Sequence, residues 1–172
     1  RGVKDAEEQE LMRTASLIND RAMAQFKTLI HEGVTEKEAA DQMLKIYQDL
    51  GADGFSFEPL VAFGANEKAI SMIRPGVPLC ELDGAARDLI TDAGYGEYFT
   101  HRLGHFIGLA EHEYGDVSSA NNWKAEPGMI FSIEPGIYLP GDTGVRVEDL
   151  VLVTEDGCEV LNHYSKDLEV IG

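Results

Sequence analysis

The hydrophobic periodicity of this chain changes for good at Gly94, and that change constrains the fold more than any other feature. Up to Gly94, outside residues 52–67, apolar residues recur every three to four positions, the spacing of one helix face. From Tyr95 onward they alternate or run in short blocks bounded by Gly, Pro and Asp, the pattern of strands and turns. Residues 5–31 are predicted as a long amphipathic helix. Asp5 caps it, Glu7, Glu8 and Glu10 sit near its positive end, and Leu11, Ala15, Ile18, Ala22 and Phe26 fall at helical spacing. Gly33 stops it. Thr35 and Glu38 form a capping box for a second helix carrying Ala40, Met43, Leu44 and Tyr47, which ends at Gly51 and is expected to pack antiparallel to the first. Pro59–Phe63 reads as a short buried strand, and a helical piece ends at Arg74 before Pro75-Gly76. Leu82, Ala85, Ala86, Leu89 and Ile90 mark another helix, closed by Gly94. Met129–Tyr138 and Val145–Val153 are predicted strands joined by residues 139–144, and Glu155-Asp156-Gly157 turns the chain into a last strand, Cys158–Leu161. Helices first and a mostly antiparallel sheet later give an α+β fold.

Charge narrows the function. The 172 residues hold 14 Lys+Arg against 31 Asp+Glu, a net charge of −17. Such a surface repels phosphate backbones, so no nucleic-acid partner is expected. Apolar residues make up 44% of the chain, enough for one domain's core and too many for a disordered acidic tail. No apolar run approaches the ~18–20 residues needed to cross a bilayer, so no membrane partner is expected either. Cys80 and Cys158 are too few for a disulfide scaffold and fit a reducing, cytoplasmic compartment. The chain begins at Arg1 without an initiator Met, as though it were internal to a longer protein or exposed by processing.

Two clusters can carry chemistry. Three of the five histidines, His101, His105 and His112, crowd the segment His101–Glu113. His101 and His105 would share a face of a helix, but Gly104 and Gly108 favour a glycine-punctuated strand or loop that aims each imidazole separately. The apolar, glycine-rich flanks argue against three chance surface histidines. The spacing is not H-E-x-x-H, which removes the zincin reading. The second cluster is Glu134 and Glu148. If Tyr138 pairs near Gly144, these two carboxylates fall opposite each other on one face of a hairpin, flanked by Ile133, Val147 and Leu150. Like charges directly opposite destabilise a strand pair, and burial raises the cost. Such a pair needs a shared proton or a cation. With an imidazole from His105, it is a ligand set for Mn, Zn, Co or Fe. A one-residue slip of register would instead send one Glu to solvent. Arg146, two residues before Glu148, shares its face and can orient a carboxylate ligand or receive a substrate carboxylate; the plainer alternative is an exposed ion pair with Asp142 or Glu148.

These residues resemble a known family. His101–Glu113 resembles the signature of aminopeptidase P and Xaa-Pro dipeptidase (prolidase), the proline-specific branch of the pita-bread metallopeptidases. Met129–Thr154 resembles that family's two glutamate strands, through Ile133-Glu134-Pro135-Gly136 and Arg146-Val147-Glu148-Asp149. Ala85-Ala86-Arg87-Asp88 and Gly94-Tyr95-Gly96 fit the preceding helix, and Lys4–Ala24 resembles the helix that follows the family's separate N-terminal domain, which is expected to be lacking from residues 1–172. The resemblance implies a pita-bread fold over residues 1–172, with helices packed on a curved antiparallel sheet. It implies hydrolysis of peptide bonds to proline by a water held between two divalent metal ions, proline-containing peptides as partners, and a homodimer. It places His105, Glu134 and Glu148 as metal ligands, with Glu148 bridging. Glu134 also helps with the water's proton. His112 touches the scissile peptide, His101 lines the pocket for the prolyl side, and Arg146 stands beside the second glutamate.

The departures matter as much. The family takes two further metal ligands from aspartates on adjacent strands and uses a histidine after the strand resembling Glu58–Asn66. Here Glu67 runs straight into Lys68, where a segment of several tens of residues is missing from the pattern and the sheet is left incomplete. No Asp of this chain matches those ligand positions. Either the segment is truly deleted, or these residues are the ordered part of a longer chain, which the missing Met favours. Glu111 stands where the family has Val or Ile, and is expected to perturb His112 or to point outward; Phe106 replaces a glycine and is expected to narrow the pocket. Three readings follow. The leading one is an Xaa-Pro peptidase, the second a non-catalytic pita-bread domain that binds peptides or proteins, and the third a non-peptidase hydrolase of the creatinase kind.

Overall fold

A computed structural model describes residues 2–29, 34, 36–51, 65–141 and 144–166. The element order is α1 (Ala6–Phe26), α2 (Glu36–Asp49), α3 (Ala65–Ile70) and α4 (Leu79–Asp92), then β1 (Gly104–His105), β2 (Asp116–Val117), β3 (Ile130–Ile133), β4 (Gly136–Tyr138), β5 (Gly144–Arg146), β6 (Asp149–Val153) and β7 (Cys158–Val160). Among the described residues, the change of periodicity at Gly94 is therefore the boundary between the helices and the strands. The predicted strand Pro59–Phe63, the stop at Gly33 and the Thr35 cap lie outside the described residues.

The caps follow the sequence. Asp5 accepts the Glu8 N–H at 3.0 Å while the Glu8 carboxylate accepts the Asp5 N–H at 2.8 Å, a reciprocal capping box. Helix α1 stops at Phe26 and continues as a 3₁₀ turn, Lys27–Leu29, short of the predicted residue 31. Its roll differs from the expectation in the first half, where Leu11 and Ala15 are exposed and Ser16 is buried, whereas Ala22 is buried as expected. Polar anchors on the neighbouring face account for this. Arg13 binds Glu159 in bidentate fashion at 2.7–3.1 Å, and Asp20 accepts the N–H groups of His163 and Tyr164. Helix α2 packs on α1, with the Tyr47 hydroxyl hydrogen-bonded to Asn19. Helix α3 passes through Glu67–Lys68 without a break.

Helix α4 closes at Gly94, whose φ of +86° only glycine adopts freely. Its inner face, Leu79, Leu82, Ala86 and Ile90, packs with α3 against Leu103, Phe106, Val117, Phe131, Ile133, Val151 and Val153 to make the main core. The strands pair antiparallel in the order β3-β6-β7, with two-stranded ladders β1-β2 and β4-β5. Strand β1 lies beside β3 through the bridge Phe106↔Phe131 and a 2.7 Å bond from Glu134 N–H to Leu103 C=O. The close approach of β1 and β3 requires Gly104, since a Cβ there would stand 1.8 Å from the Ser132 carbonyl oxygen. Gly104→Ala is expected to cost about 2–3 kcal/mol by overpacking, a fall in Tm of roughly 5–10 °C by differential scanning calorimetry.

The hairpin register is the one the charge argument needs. Tyr138 faces Gly144, Gly136 faces Arg146, and Ile133 faces Asp149. One register thus runs through both ladders and sets Glu134 opposite Glu148 in the gap between them. Pro135 has no N–H for the ladder, and the Glu134 N–H has gone to Leu103 instead.

Candidate metal centre

Alternation along β1 aims the first ligand. Gly104 lies against β3, His105 turns toward the glutamates, and Phe106 turns the other way into the core, where it meets Phe131 and Trp123. Phe106 therefore fills the core and does not narrow the pocket; the strand's period of two overrides the expectation. The His105 Nδ1–H donates to the Phe106 carbonyl at 3.1 Å, since a carbonyl only accepts, which leaves the Nε2 lone pair facing Glu134 Oε1 at 3.5 Å. Glu134 also accepts the Ser132 hydroxyl at 3.3 Å. Glu148 sits just before β6, where the Asn162 amide holds the backbone. Its Nδ2 donates to the Glu148 carbonyl and to Asp149 Oδ1, and its Oδ1 accepts the Leu150 N–H at 2.8 Å. Asp149 is fully buried and paired with Lys166 at 2.8 Å.

The ligand atoms of His105, Glu134 and Glu148 all lie within 4.8 Å of one another. Arg146 is largely buried and bridges the two carboxylates, 3.4 Å from Glu134 and 3.3 Å from Glu148, so it is not the exposed ion pair that was the alternative. Burial, and then the charge of Glu134, pushes the Glu148 carboxyl up from 4.5 to about 7, while Arg146 pulls it the other way. Burial lowers His105, outweighing its bond to Phe106 and the pull of Glu134. At neutral pH the imidazole is neutral, with its lone pair facing acceptors that only a proton or a cation can reconcile. Two ligands of one ion at ~2.1 Å in tetrahedral geometry stand roughly 3.4 Å apart, close to the His105–Glu134 separation. The donor set of one imidazole and two carboxylates therefore fits a divalent cation.

All six predicted residues, His101, His105, His112, Glu134, Arg146 and Glu148, line one cavity of about 570 Å³, together with Arg102, Ile107, Glu111 and Asp116. The His112 ring lies 4.1 Å from that of His105, and Glu111 reaches to 3.6 Å from the His112 Nδ1. The His101 Nδ1–H donates to the Arg102 carbonyl at 2.7 Å, and its buried Nε2 has no hydrogen-bond partner among the described residues. Sequence reasoning missed Ser132, Asp116 and Asn162. Asp116 enters because β2 pairs His105 with Asp116. Asn162 lies beyond β7 and carries no local signal.

A hairpin that sets two glutamates face to face, with a strand histidine and a bridging arginine beside them, is a site able to hold a divalent cation. The chain belongs to metallopeptidase family M24, whose profile matches residues 10–70 and 65–155. Uncharacterized peptidases of Staphylococcus aureus and Staphylococcus haemolyticus are 35% and 36% identical to it over 224 residues, covering 96% of this chain and 64% of theirs. Among solved structures it is similar to a dipeptidase from Mycobacterium ulcerans (TM-score 0.92, 29% identity, 99% of this chain and 62% of that one). It is also similar to the prolidase from Pyrococcus horikoshii (TM-score 0.92, 28% identity, 98% and 65%) and to an Xaa-Pro dipeptidase from Bacillus anthracis (0.92, 28%, 98% and 64%). The fold is thus the pita-bread fold. The chain spans under two thirds of the length of these relatives. Among the described residues, no helix is long and apolar enough to cross a membrane.

Proposed function

We propose that this chain is the catalytic domain of a metallo-exopeptidase that hydrolyses peptide bonds to proline, of the Xaa-Pro dipeptidase or aminopeptidase P type. The observation that carries this reading is the convergence of His105, Glu134 and Glu148 on one point beside an open cavity. Two divalent ions (Mn, Co, Zn or Fe), when bound, would activate a water and polarise the scissile carbonyl. The residues do the rest. His105, Glu134 and Glu148 would hold the ions, and the carboxylate of Glu134 would accept a proton from the attacking water. Arg146 keeps both glutamates in place by touching each. The imidazole of His112, tilted against the His105 ring and more than half exposed, is placed to donate to the carbonyl oxygen as charge develops there. His101, between Phe99 and Tyr138, makes an aromatic wall suited to a prolyl ring.

A cytoplasmic homodimer acting on short proline-containing peptides is the setting this reading implies. The family pattern further suggests a segment carrying two aspartate ligands near residues 65–70, where the two profile matches meet. Its absence is what favours the second reading, a pita-bread domain that binds peptides or proteins without cleaving them. Metal content and hydrolysis of Ala-Pro separate the two. The enzyme reading expects bound divalent metal and cleavage that a chelator abolishes. A chain that takes up no divalent metal and cleaves no prolyl peptide is a binding module. Turnover of a small guanidino compound, but not of Ala-Pro, would indicate the creatinase-like reading.

A further inference from the structure

On the reading of the site above, we propose that Asp83 and Arg87, which do not line the cavity, are positioning residues that hold the segment 99–103 and so aim His101 and anchor Glu134. Helix α4 carries both, one turn apart. The Asp83 carboxylate is fully buried and binds Arg87 at 3.0 Å through Nε and 3.1 Å through Nη2. The same carboxylate accepts the Leu103 N–H at 3.0 Å. Arg87 also donates to two carbonyls, Phe99 through Nη1 and His101 through Nη2, both at 2.9 Å. Its guanidinium lies 4.2 Å from the centroid of the Phe99 ring, and the edge of Phe99 meets the His101 ring at 5.2 Å and 90°. Leu103 then passes the constraint on, since its carbonyl accepts the Glu134 N–H at 2.7 Å.

Residues 99–103 have no ladder or helix of their own. Phe99, His101 and Leu103 instead present alternate backbone groups to one ion pair, which satisfies them and fixes the extended course of the segment. For stability alone an apolar pair would serve as well in this place, because desolvating two charges costs about as much as their attraction returns. What an apolar pair cannot do is tie three backbone groups to one rigid fork, and lysine cannot either. The position this fork enforces is tight on the other side, too. A Cβ on Gly136 would stand 2.9 Å from the His101 Nε2, so the ring has little room to move. Misplacing a substrate-facing group by ~1 Å costs up to about 100-fold in rate.

The test compares Arg87→Lys, which keeps the charge and loses the fork, with Arg13→Ala, which breaks the bidentate pair to Glu159 that anchors α1. Three quantities are read: KM and kcat for Ala-Pro with manganese, manganese affinity by calorimetry, and the His101 ring resonances by NMR of the metal-free chain. For Arg87→Lys, KM is expected to rise about tenfold or more and the His101 resonances to move, while manganese affinity stays within about threefold, because Asp83 still accepts the Leu103 N–H and so keeps the Glu134 anchor. Arg13→Ala should lower Tm and leave all three unchanged. An Arg87→Lys chain that behaves like Arg13→Ala overturns the proposal. Should Arg87→Lys fail to fold, Asp83→Asn carries the test, with the same signs, because the amide keeps the shape and weakens the fork. If the unaltered chain cleaves no prolyl peptide, the functional reading fails, and the His101 resonances alone decide: moved supports the positioning role, unmoved overturns it.

Discussion

Glu148→Gln is expected to abolish hydrolysis, by about a thousandfold or more, while making the metal-free chain more stable at pH 8. The first effect follows from removing a ligand charge at unchanged volume, since a metal ion's stabilisation of the transition state amounts to several kcal/mol. The second follows from the proton. In the folded chain the Glu148 carboxyl titrates at about 7, above its ordinary 4.5, because it is desolvated and faces Glu134. Between those two values the folded state holds a proton that the unfolded state has released. Stability therefore falls as pH rises through that window, and the full cost is present above it. The side chain is 33% exposed, so solvent screening reduces that cost to about 1–2 kcal/mol. Glutamine does not ionise, so the variant should gain this amount at pH 8 and nothing at pH 4.5. Urea unfolding in a chelator at pH 4.5, 6.5 and 8 reads the stability, and Ala-Pro assays read the rate. Full activity in the variant would remove Glu148 from the site.

Manganese is expected to raise the melting temperature of the chain by roughly 5–11 °C at a hundred times its Kd. Binding to the folded state alone contributes about 2.7 kcal/mol at that concentration, and each kcal/mol moves Tm by about 2–4 °C for a chain of this size. The shift should vanish in His105→Ala. It should also depend on pH in a defined direction. A proton on Glu148 competes with the ion, so affinity rises as pH climbs toward 7 and levels off above it. Burial lowers the His105 pKa, so its proton competes with the ion less than that of an ordinary imidazole. A melt that does not respond to saturating manganese at pH 8 counts against a metal site of any kind.

Much of the site was legible because its logic is local. Strand period and turn length place Glu134 opposite Glu148 once Tyr138 pairs with Gly144, and that register is observed. The same arithmetic puts Arg146 on their face. The helix boundaries near Asp5 and Gly94 also follow from caps that act within one turn. The expectations that failed are of another kind. Apolar spacing puts Leu11 and Ala15 of α1 inward, but the Arg13–Glu159 ion pair and the hydrogen bonds from the His163 and Tyr164 N–H groups to Asp20 turn that part of the helix outward. Phe106 was expected in the pocket and lies in the core, because the glycine before it lets β1 press against β3.

By itself, then, the sequence determined the class of fold and the residue types able to hold a cation, and it left two registers for the glutamates, one of which pairs them. Each of these rests on spacing along the chain: a period of 3.6 or 2, or a hairpin's register. Only the tertiary structure decided that His105 meets the glutamates within ligand distance, that Arg146 touches both, and that Asn162, Asp83 and Arg87 stand behind them. Those contacts join elements far apart in the chain. They exist because burying α4 and the strands around a common core brings them together, and no local period encodes which distant partner a buried polar group will find.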